Sequence, residues 1–286
     1  MEPIKDTHIA ILMATYNGEK YLSEQIESIL SQTCDMWHLY IHDDGSSDNT
    51  IEILHGYASS HPEKITVLDY PPQGGALNNF MSLLERVDAE YYMFSDQDDV
   101  WFKDKIKKEK ERMDAEEQKH GKNPIIVFSD LTVTDCILNK TADSFCVFSG
   151  IYPEYLTTFN ELGASNLTTG CTMLFNETAK SVIQFPYTSA TMHDSWITLC
   201  TARANGILSY IAEPLIYYRQ HEHNTLGAVN IKELTLGYRI QHLIHVLTLN
   251  KNTYRMLKAL GYGSLMKYIF YKVRYKYRIY KRQNKS

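Results

Sequence analysis

Tyr91-Tyr92-Met93-Phe94-Ser95-Asp96-Gln97-Asp98-Asp99-Val100-Trp101 passes from an apolar, aromatic run directly into three carboxylates within four residues. A short apolar run closed by a charged turn reads as a buried strand meeting its carboxyl end. Asp96, Asp98 and Asp99 repel one another there, and each like charge raises its neighbours' pKa values until a cation, a basic partner or water relieves it. Hard oxygen ligands in this position suit Mg2+ or Mn2+ shared with substrate phosphates. An isolated Asp-X-Asp is more often a solvated turn, but here the bulky Trp101 and a charged helix over residues 103–119 follow at once. Strand, acidic turn and helix together make the layout of an α/β ligand site, which lies outside the carboxyl ends of the strands.

Toward the amino terminus the same order recurs. Ile9-Ala10-Ile11-Leu12-Met13-Ala14 is apolar without alternation, as in a strand covered on both faces, and ends at Thr15-Tyr16-Asn17-Gly18. Leu22, Ile26, Ile29 and Leu30 then recur at helical spacing, with Asn17 or a neighbour as the expected cap. Residues 37–42 form a second strand that empties into Asp43-Asp44-Gly45-Ser46-Ser47-Asp48. Residues 65–68 form a third, followed by Gln73-Gly74-Gly75 and a helix buried through Phe80, Leu83, Leu84 and Val87. This alternation predicts a mostly parallel sheet with helices on both faces and right-handed crossovers. Strand ends at 15–17, 43–46, 74–78 and 96–99 converge on one rim. Neither Gly-X-Gly-X-X-Gly nor Gly-X-X-X-X-Gly-Lys occurs at these turns, so metal rather than a glycine-rich amide loop is expected to handle phosphate.

Toward the carboxyl terminus, residues 124–130 read as a further strand ending in an acid, and residues 131–167 carry little pattern. Thr168-Thr169-Gly170-Cys171-Thr172-Met173-Leu174-Phe175 reads as a strand with a glycine near its start. His193-Asp194-Ser195-Trp196 opens a helical run with Gly206 as its expected C-cap, where Asp194 could simply satisfy first-turn amides. Residues 207–211 and 215–218 read as two strands separated by Glu213-Pro214, leading into Arg219-Gln220-His221. A neutral His is a competent metal ligand, although a lone loop His is more often a packing residue.

At 286 residues, with 44% hydrophobic and 22% charged side chains, the chain can bury a sizeable core. Five scattered cysteines without Cys-X-X-Cys argue against a zinc site or a disulfide framework, and suit a reducing cytosol. The apolar run 9–13 is too short for a signal-peptide core, and no stretch predicts a transmembrane helix. Residues 1–233 hold all 34 acidic side chains and 17 of the 29 basic ones, whereas residues 234–286 hold the other 12 and no acid. That reversal of sign marks a boundary near residue 230.

Thr15-Tyr16-Asn17, Asp43-Asp44-Gly45-Ser46-Ser47-Asp48 and Asp96-Gln97-Asp98, in this order, resemble the inverting glycosyltransferases of family 2, which have the GT-A fold. With Met192-His193-Asp194-Ser195-Trp196 and Tyr218-Arg219-Gln220-His221 downstream, the chain is most similar to the bacterial rhamnosyltransferase-like branch that builds cell-surface polysaccharides. The resemblance covers about residues 8–228. It implies a GT-A domain over 1–228, with a donor-binding half at about 8–130 and an acceptor half at 131–228, and a helical, basic extension over 229–286. Carried over residue by residue, Thr15, Tyr16, Asn17, Asp44 and Asp96 would hold the base and ribose of a dTDP- or UDP-sugar, and Gly74 and Gly75 would allow its backbone approach. Asp98, with His221, would bind Mg2+ or Mn2+. Asp99, Trp101, Gly170, His193, Trp196 and Arg219 would line the acceptor or diphosphate region, and Asp194 would remove the acceptor proton. The family's Gln-X-X-Arg-Trp is absent, which points away from processive synthesis. A nucleotidyltransferase should instead show a Gly-rich loop with a Lys near the first strand; an inactive nucleotide-sugar-binding module should lack Asp194.

The extension is expected to be helical from about residue 231, with Leu234, Tyr238, His242 and His245 along one face and Leu265, Ile269 and Val273 recurring by four. Tyrosines and Phe270 interleave with Lys267, Lys272, Arg274, Lys276, Arg278, Lys281 and Arg282, a pattern suited to an anionic leaflet. No nucleic-acid module accompanies it. Packing on the acidic body of the same chain, or on a second copy, is the alternative. The resulting expectation is a cytoplasmic enzyme at the inner face of the membrane, acting on a lipid-linked saccharide.

Overall fold

The computed structural model describes residues 8–222, 228 and 243–284. Strands β1 (Ile9–Thr15), β2 (Trp37–Asp43), β3 (Ile65–Val67) and β4 (Tyr91–Ser95) lie parallel in the order β3-β2-β1-β4. The sheet continues through the short β5 (Val100–Trp101), β6 (Ile125–Thr134), β7 (Lys140–Ala142), β8 (Met173–Asn176) and β9 (Ile207–Arg219), in the order β4-β8-β6-β9-β5, with β7 on β6. Helices α1 (Leu22–Leu30), α2 (Thr50–Ser60), α3 (Ala76–Arg86) and α4 (Lys105–His120) alternate with the first strands. The short α5 (Phe145–Ser149), α6 (Phe159–Leu162) and α7 (Glu177–Ser181) precede α8 (His193–Arg203), and α9 (Leu243–Ala259) and α10 (Leu265–Gln283) form the tail.

Successive side chains of a strand point to opposite faces. Ile9, Ile11 and Met13 therefore enter one core layer, closed by Leu22, Ile26, Leu54, Ile106 and Met113 of α1, α2 and α4. Ala10 and Leu12 enter the other, closed by Phe80, Leu83 and Leu84 of α3, Ile197 and Cys200 of α8, and residues of the tail. This two-sided burial explains why β1 is apolar throughout instead of alternating.

Beyond β4 the sheet is mixed, and one strand accounts for the change. β8 runs antiparallel to both β4 and β6, with Met93 opposite Leu174 and Tyr91 opposite Asn176. An antiparallel neighbour begins where β4 ends, so the turn 169–172 before β8 joins Asp96 at the carboxyl rim of the parallel strands.

Three local expectations are corrected. The strands expected at 207–211 and 215–218 are the single strand β9, parallel to β6; the register slips where Pro214, which has no N–H for the ladder, meets Asp130, and both strands continue past it. Asn17 does not cap α1, whose cap position is Tyr21 without a side-chain bond. Asn205, at φ 57°, and not Gly206, takes the left-handed position after α8.

The tail packs on the α3/α8 layer, burying Met256, Leu257, Leu260, Tyr262, Tyr268 and Tyr275. Tyr262 lies against Gly163, where a Cβ would stand 2.8 Å from the Tyr262 hydroxyl, and donates to Asn160 O at 2.6 Å. The Tyr275 hydroxyl accepts from Tyr152 N at 3.1 Å, Arg278 pairs with Glu161 at 3.1 Å, and Arg282 pairs with Glu154. One side of α10 thus packs on the acidic body of its own chain. Met266, Ile269, Phe270, Val273, Tyr277 and Tyr280 occupy the opposite side, each more than half exposed. The face expected at Leu234, Tyr238 and His242 lies outside the described residues, as does the His245 side chain. Among the described residues no helix is long and apolar enough to cross a membrane.

Candidate active site

A cavity of about 580 Å³ opens at the carboxyl ends of β1, β2 and β4. It brings together Thr15 and Tyr16 after β1, Asp44 after β2, Gly74 and Gly75 before α3, Asp96 and Asp98 after β4, Gly170 before β8, and His193 and Asp194 at the start of α8. Asn79, Gln97, Met192 and Tyr218 also line it, and sequence reading assigned none of them a role.

The loops of the rim are cross-tied by their own polar side chains. Asp43 accepts from Thr15 Oγ1 at 2.8 Å and from the amides of Gly45 and Ser46 at 3.0 and 2.7 Å, holding the ends of β1 and β2 together. Asp44 accepts from the amides of Gln73, Gly74 and Gly75, so its carboxylate holds the glycine turn as well as facing the cavity. Gln97 bonds the Tyr16 backbone twice, from N to its Oε1 at 2.9 Å and from its Nε2 to O at 3.0 Å. Its setting between Asp96 and Asp98 was the only signal for it in the sequence. Asn17 is away from the cavity: its amide donates to Ser46 Oγ and its Oδ1 accepts from Ser47 N, both at 2.8 Å, which ties the first loop to the second.

Burial first, and then the charges of Asp98 and Asp194, hold the Asp96 carboxyl well above the ordinary carboxylate range. Asp99 is fully buried; desolvation and then Asp98 and Asp96 push it up too, and its Oδ1 accepts from Arg219 N at 3.2 Å. His221 Nε2 lies 2.7 Å from Asp98 Oδ2, and its ring stacks on Tyr21 at 4.9 Å. Carboxylate oxygens whose mutual repulsion asks for a cation, with an imidazole beside Asp98, fit Mg2+ or Mn2+. Donor atoms of Asp96, Asp99 and Cys171 lie within 4.8 Å of one another. The Cys171 thiol is buried and pushed far up by desolvation, so it contributes a soft neutral sulfur unsuited to such an ion.

Asp194 sits in the first turn of α8, where the helix dipole favours an anion. The cap position is Met192, so Asp194 is not the N-cap. Its Oδ1 accepts from the amide and hydroxyl of Ser195, yet burial dominates and raises its pKa. His193 is buried with both ring nitrogens unbonded among the described residues, packs against Phe80 at 4.1 Å and Phe94 at 4.7 Å, and is held neutral by burial, its pKa lowered to about 3.

Four residues expected at the diphosphate or acceptor region sit elsewhere. Trp101 packs in the α1/α4 layer over Lys105, which forms a fully buried ion pair with Glu109 at 2.8 Å. Trp196 is in the opposite layer and donates to Gln184 O at 3.0 Å. Both are large apolar surfaces that the core absorbs. Asp99 is sealed behind the acidic turn. Arg219 is buried, donating to Asp98 O at 2.8 Å and Cys136 O at 2.9 Å and pairing with Glu24, so it braces that turn from outside the cavity.

A three-layer α/β fold whose parallel strands deliver an acidic, loop-built cavity at their carboxyl ends defines a nucleotide-sugar-binding protein of the GT-A class. Residues 10–130 match the family Glycosyl transferase family 2. The dTDP-rhamnosyl transferase RfbG of Shigella flexneri is 31% identical over 247 residues, 76% of this chain and 74% of that one, and the chain belongs to glycosyltransferase family 2. A UDP-Glc:alpha-D-GlcNAc-diphosphoundecaprenol beta-1,3-glucosyltransferase, WfgD of Escherichia coli, is 33% identical over 101 residues, 35% of this chain and 39% of that one. The mannosyltransferase PcManGT of Pyrobaculum calidifontis, solved with GDP-Man and Mn2+, shares the fold at a TM-score of 0.54 and 14% identity, over 96% of this chain and 86% of that one.

Proposed function

We propose that the protein transfers one sugar from a nucleoside-diphosphate donor to a saccharide hydroxyl, with inversion at the anomeric carbon. The observation that carries this reading is Asp194: a buried carboxylate on the same cavity as Asp96 and Asp98, near enough for its charge to raise Asp96. In this scheme the acceptor oxygen attacks the anomeric carbon, its proton passes to Asp194, and the bond to the diphosphate oxygen breaks as the nucleoside diphosphate leaves. The acceptor's direct attack needs no enzyme nucleophile and inverts the centre. Cys171, off the cavity and with its thiol pKa raised, is not placed to intervene.

Thr15, Tyr16, Asp44 and the Gly74–Gly75 turn would seat the base and ribose. Asp98 and Asp96, with His221 beside them, would hold Mg2+ or Mn2+, which supplies charge neutralisation of the departing diphosphate. The Shigella flexneri relative favours a dTDP-linked donor, with rhamnose the first sugar to try, and the Escherichia coli relative favours a UDP-linked one. The Escherichia coli relative favours an acceptor on a lipid diphosphate. The outward stripe of α10 supports a place at the inner face of the membrane: its apolar side chains recur every three or four residues and are flanked by Lys267, Arg274, Lys276 and Lys281.

Thermal shift against a panel of nucleotide-sugars with Mg2+ or Mn2+ should show a rise in Tm for the true donor, since a ligand bound only by the native state stabilises it. The anomeric configuration of the product should be inverted. No stabilisation by any nucleotide-sugar, or a retained anomer, would sink the reading; formation of a nucleotide-sugar from a sugar phosphate and a nucleoside triphosphate would replace it with a nucleotidyltransferase.

A further inference from the structure

A second cavity, of about 510 Å³, lies on the other side of Met192, which lines both. Asp194 faces the first cavity; Ser195, which donates to Asp194 Oδ1, faces the second. Asn166 also lines the second, where its Nδ2 donates to Thr168 O at 2.9 Å, and its side chain is near enough to Asp194 to draw its pKa down. A base must touch the incoming hydroxyl while the donor sugar lies within reach of that same hydroxyl. Asp194 lines the first cavity two residues from Met192, the residue that both cavities share, and among the described residues no acid lines the second.

The outer wall of the second cavity comes from α9. Asn252, Thr253 and Met256 face inward, with the exposed Arg255 at the rim. The lining combines apolar surface with neutral hydroxyl and amide groups, the chemistry of a sugar-binding pocket, where ring faces meet apolar side chains and hydroxyls meet polar ones. The guanidinium adds a fork suited to phosphate oxygens.

We propose that this cavity seats the acceptor saccharide, with α9 as its outer wall and Arg255 bound to the phosphate that joins the sugar to its carrier. The proposal rests on the transferase reading above, and makes the tail part of the active site as well as of the core. The sugar enters between α8 and α9, presents one hydroxyl to Asp194 beside Met192, and leaves its anionic end at the mouth.

The test uses the full chain, membranes of the cells it comes from as the acceptor pool, and radiolabelled nucleotide-sugars, dTDP-rhamnose first. Thr253→Trp, which fills the cavity from the tail side, should lower label incorporation into lipid extract by about tenfold or more, while stabilisation by the nucleoside diphosphate stays at the wild-type value. Arg255→Ala, at an exposed position, should raise the membrane concentration needed for half-maximal rate about tenfold without lowering the plateau, and Arg255→Lys should recover part of it. Should Thr253→Trp fail to fold, Asn252→Trp fills the same space. Wild-type incorporation matched by the cavity-filling and Arg255→Ala variants overturns the cavity's role alone. A wild type that labels nothing with any nucleotide-sugar overturns the transferase reading, and the cavity's role with it.

Discussion

The His193 ring occupies the space that a side chain at residue 170 would need: a Cβ on Gly170 would stand 2.5 Å from His193 Nε2. The ring is wedged from behind by Phe80 and Phe94, so it cannot retreat. Gly170→Ala should therefore cost about 1–3 kcal/mol through overpacking, read as a lowered Tm. His193→Phe keeps the aromatic packing and removes two nitrogens that have no partner among the described residues. Its Tm should be near that of the wild type while transfer falls. Unchanged turnover in this variant would make His193 a purely packing residue.

Asp98→Asn should abolish transfer and remove the dependence of nucleoside-diphosphate binding on Mg2+ or Mn2+. It removes a charged oxygen ligand from a partly exposed turn, so the fold should survive. His221→Ala should weaken metal dependence less, because its ring acts beside Asp98. Full activity of the wild type in excess chelator would take the metal out of the mechanism.

Asp194→Asn should leave donor-induced stabilisation intact and lower kcat by roughly 10²-fold or more. Because burial raises the Asp194 pKa, the folded protein holds this proton more tightly than the unfolded chain, and stability linked to it is lost as pH rises through the folded value. At neutral pH the amide variant should accordingly melt no lower than the wild type, whereas loss of a structural carboxylate would lower Tm. Transfer needs the ionised form, so the acid limb of the kcat profile should lie above the ordinary carboxylate range near pH 4. A limb at or below that value would contradict Asp194 as the base.

Deleting residues 262–286 removes Tyr262, Tyr268 and Tyr275 from the core and should destabilise the whole protein; Tyr275→Ala alone should cost about 3 kcal/mol. Phe270→Glu with Val273→Glu changes only the outward stripe. That pair should keep the wild-type Tm but release the protein from vesicles containing anionic lipid. Wild-type binding should weaken with salt, since exposed charges are screened over about 8 Å at physiological ionic strength, and leave a salt-resistant part from the apolar stripe. Equal binding of wild type to neutral and anionic vesicles would remove the electrostatic component.

The position of the rim is legible in local pattern alone. Thr15, Asp44, Gly74, Asp96 and Asp98 each follow or precede an apolar run, and the change from apolar strand to polar turn is a local pattern that survives into the fold. Asp194 was legible from its place at the start of a helix, and the change in charge near residue 230 marked the tail. Which of these groups meet is set by contacts between distant parts of the chain. His221 reaches Asp98 across 123 residues and Arg219 reaches Asp99 across 120, because β9 carries them back beside the acidic turn. The reversed β8 delivers Gly170 to the same rim, a placement that depends on which edge of β4 accepts a partner. Trp101 and Trp196 lie as near in sequence to the acids as residues that line the cavity do, and packing alone sent them to the core. In α10 both the Tyr268/Tyr275 side and the Ile269/Val273 side are apolar. Local periodicity records two such stripes, and only the body of the protein, by covering one of them, determines which is left exposed.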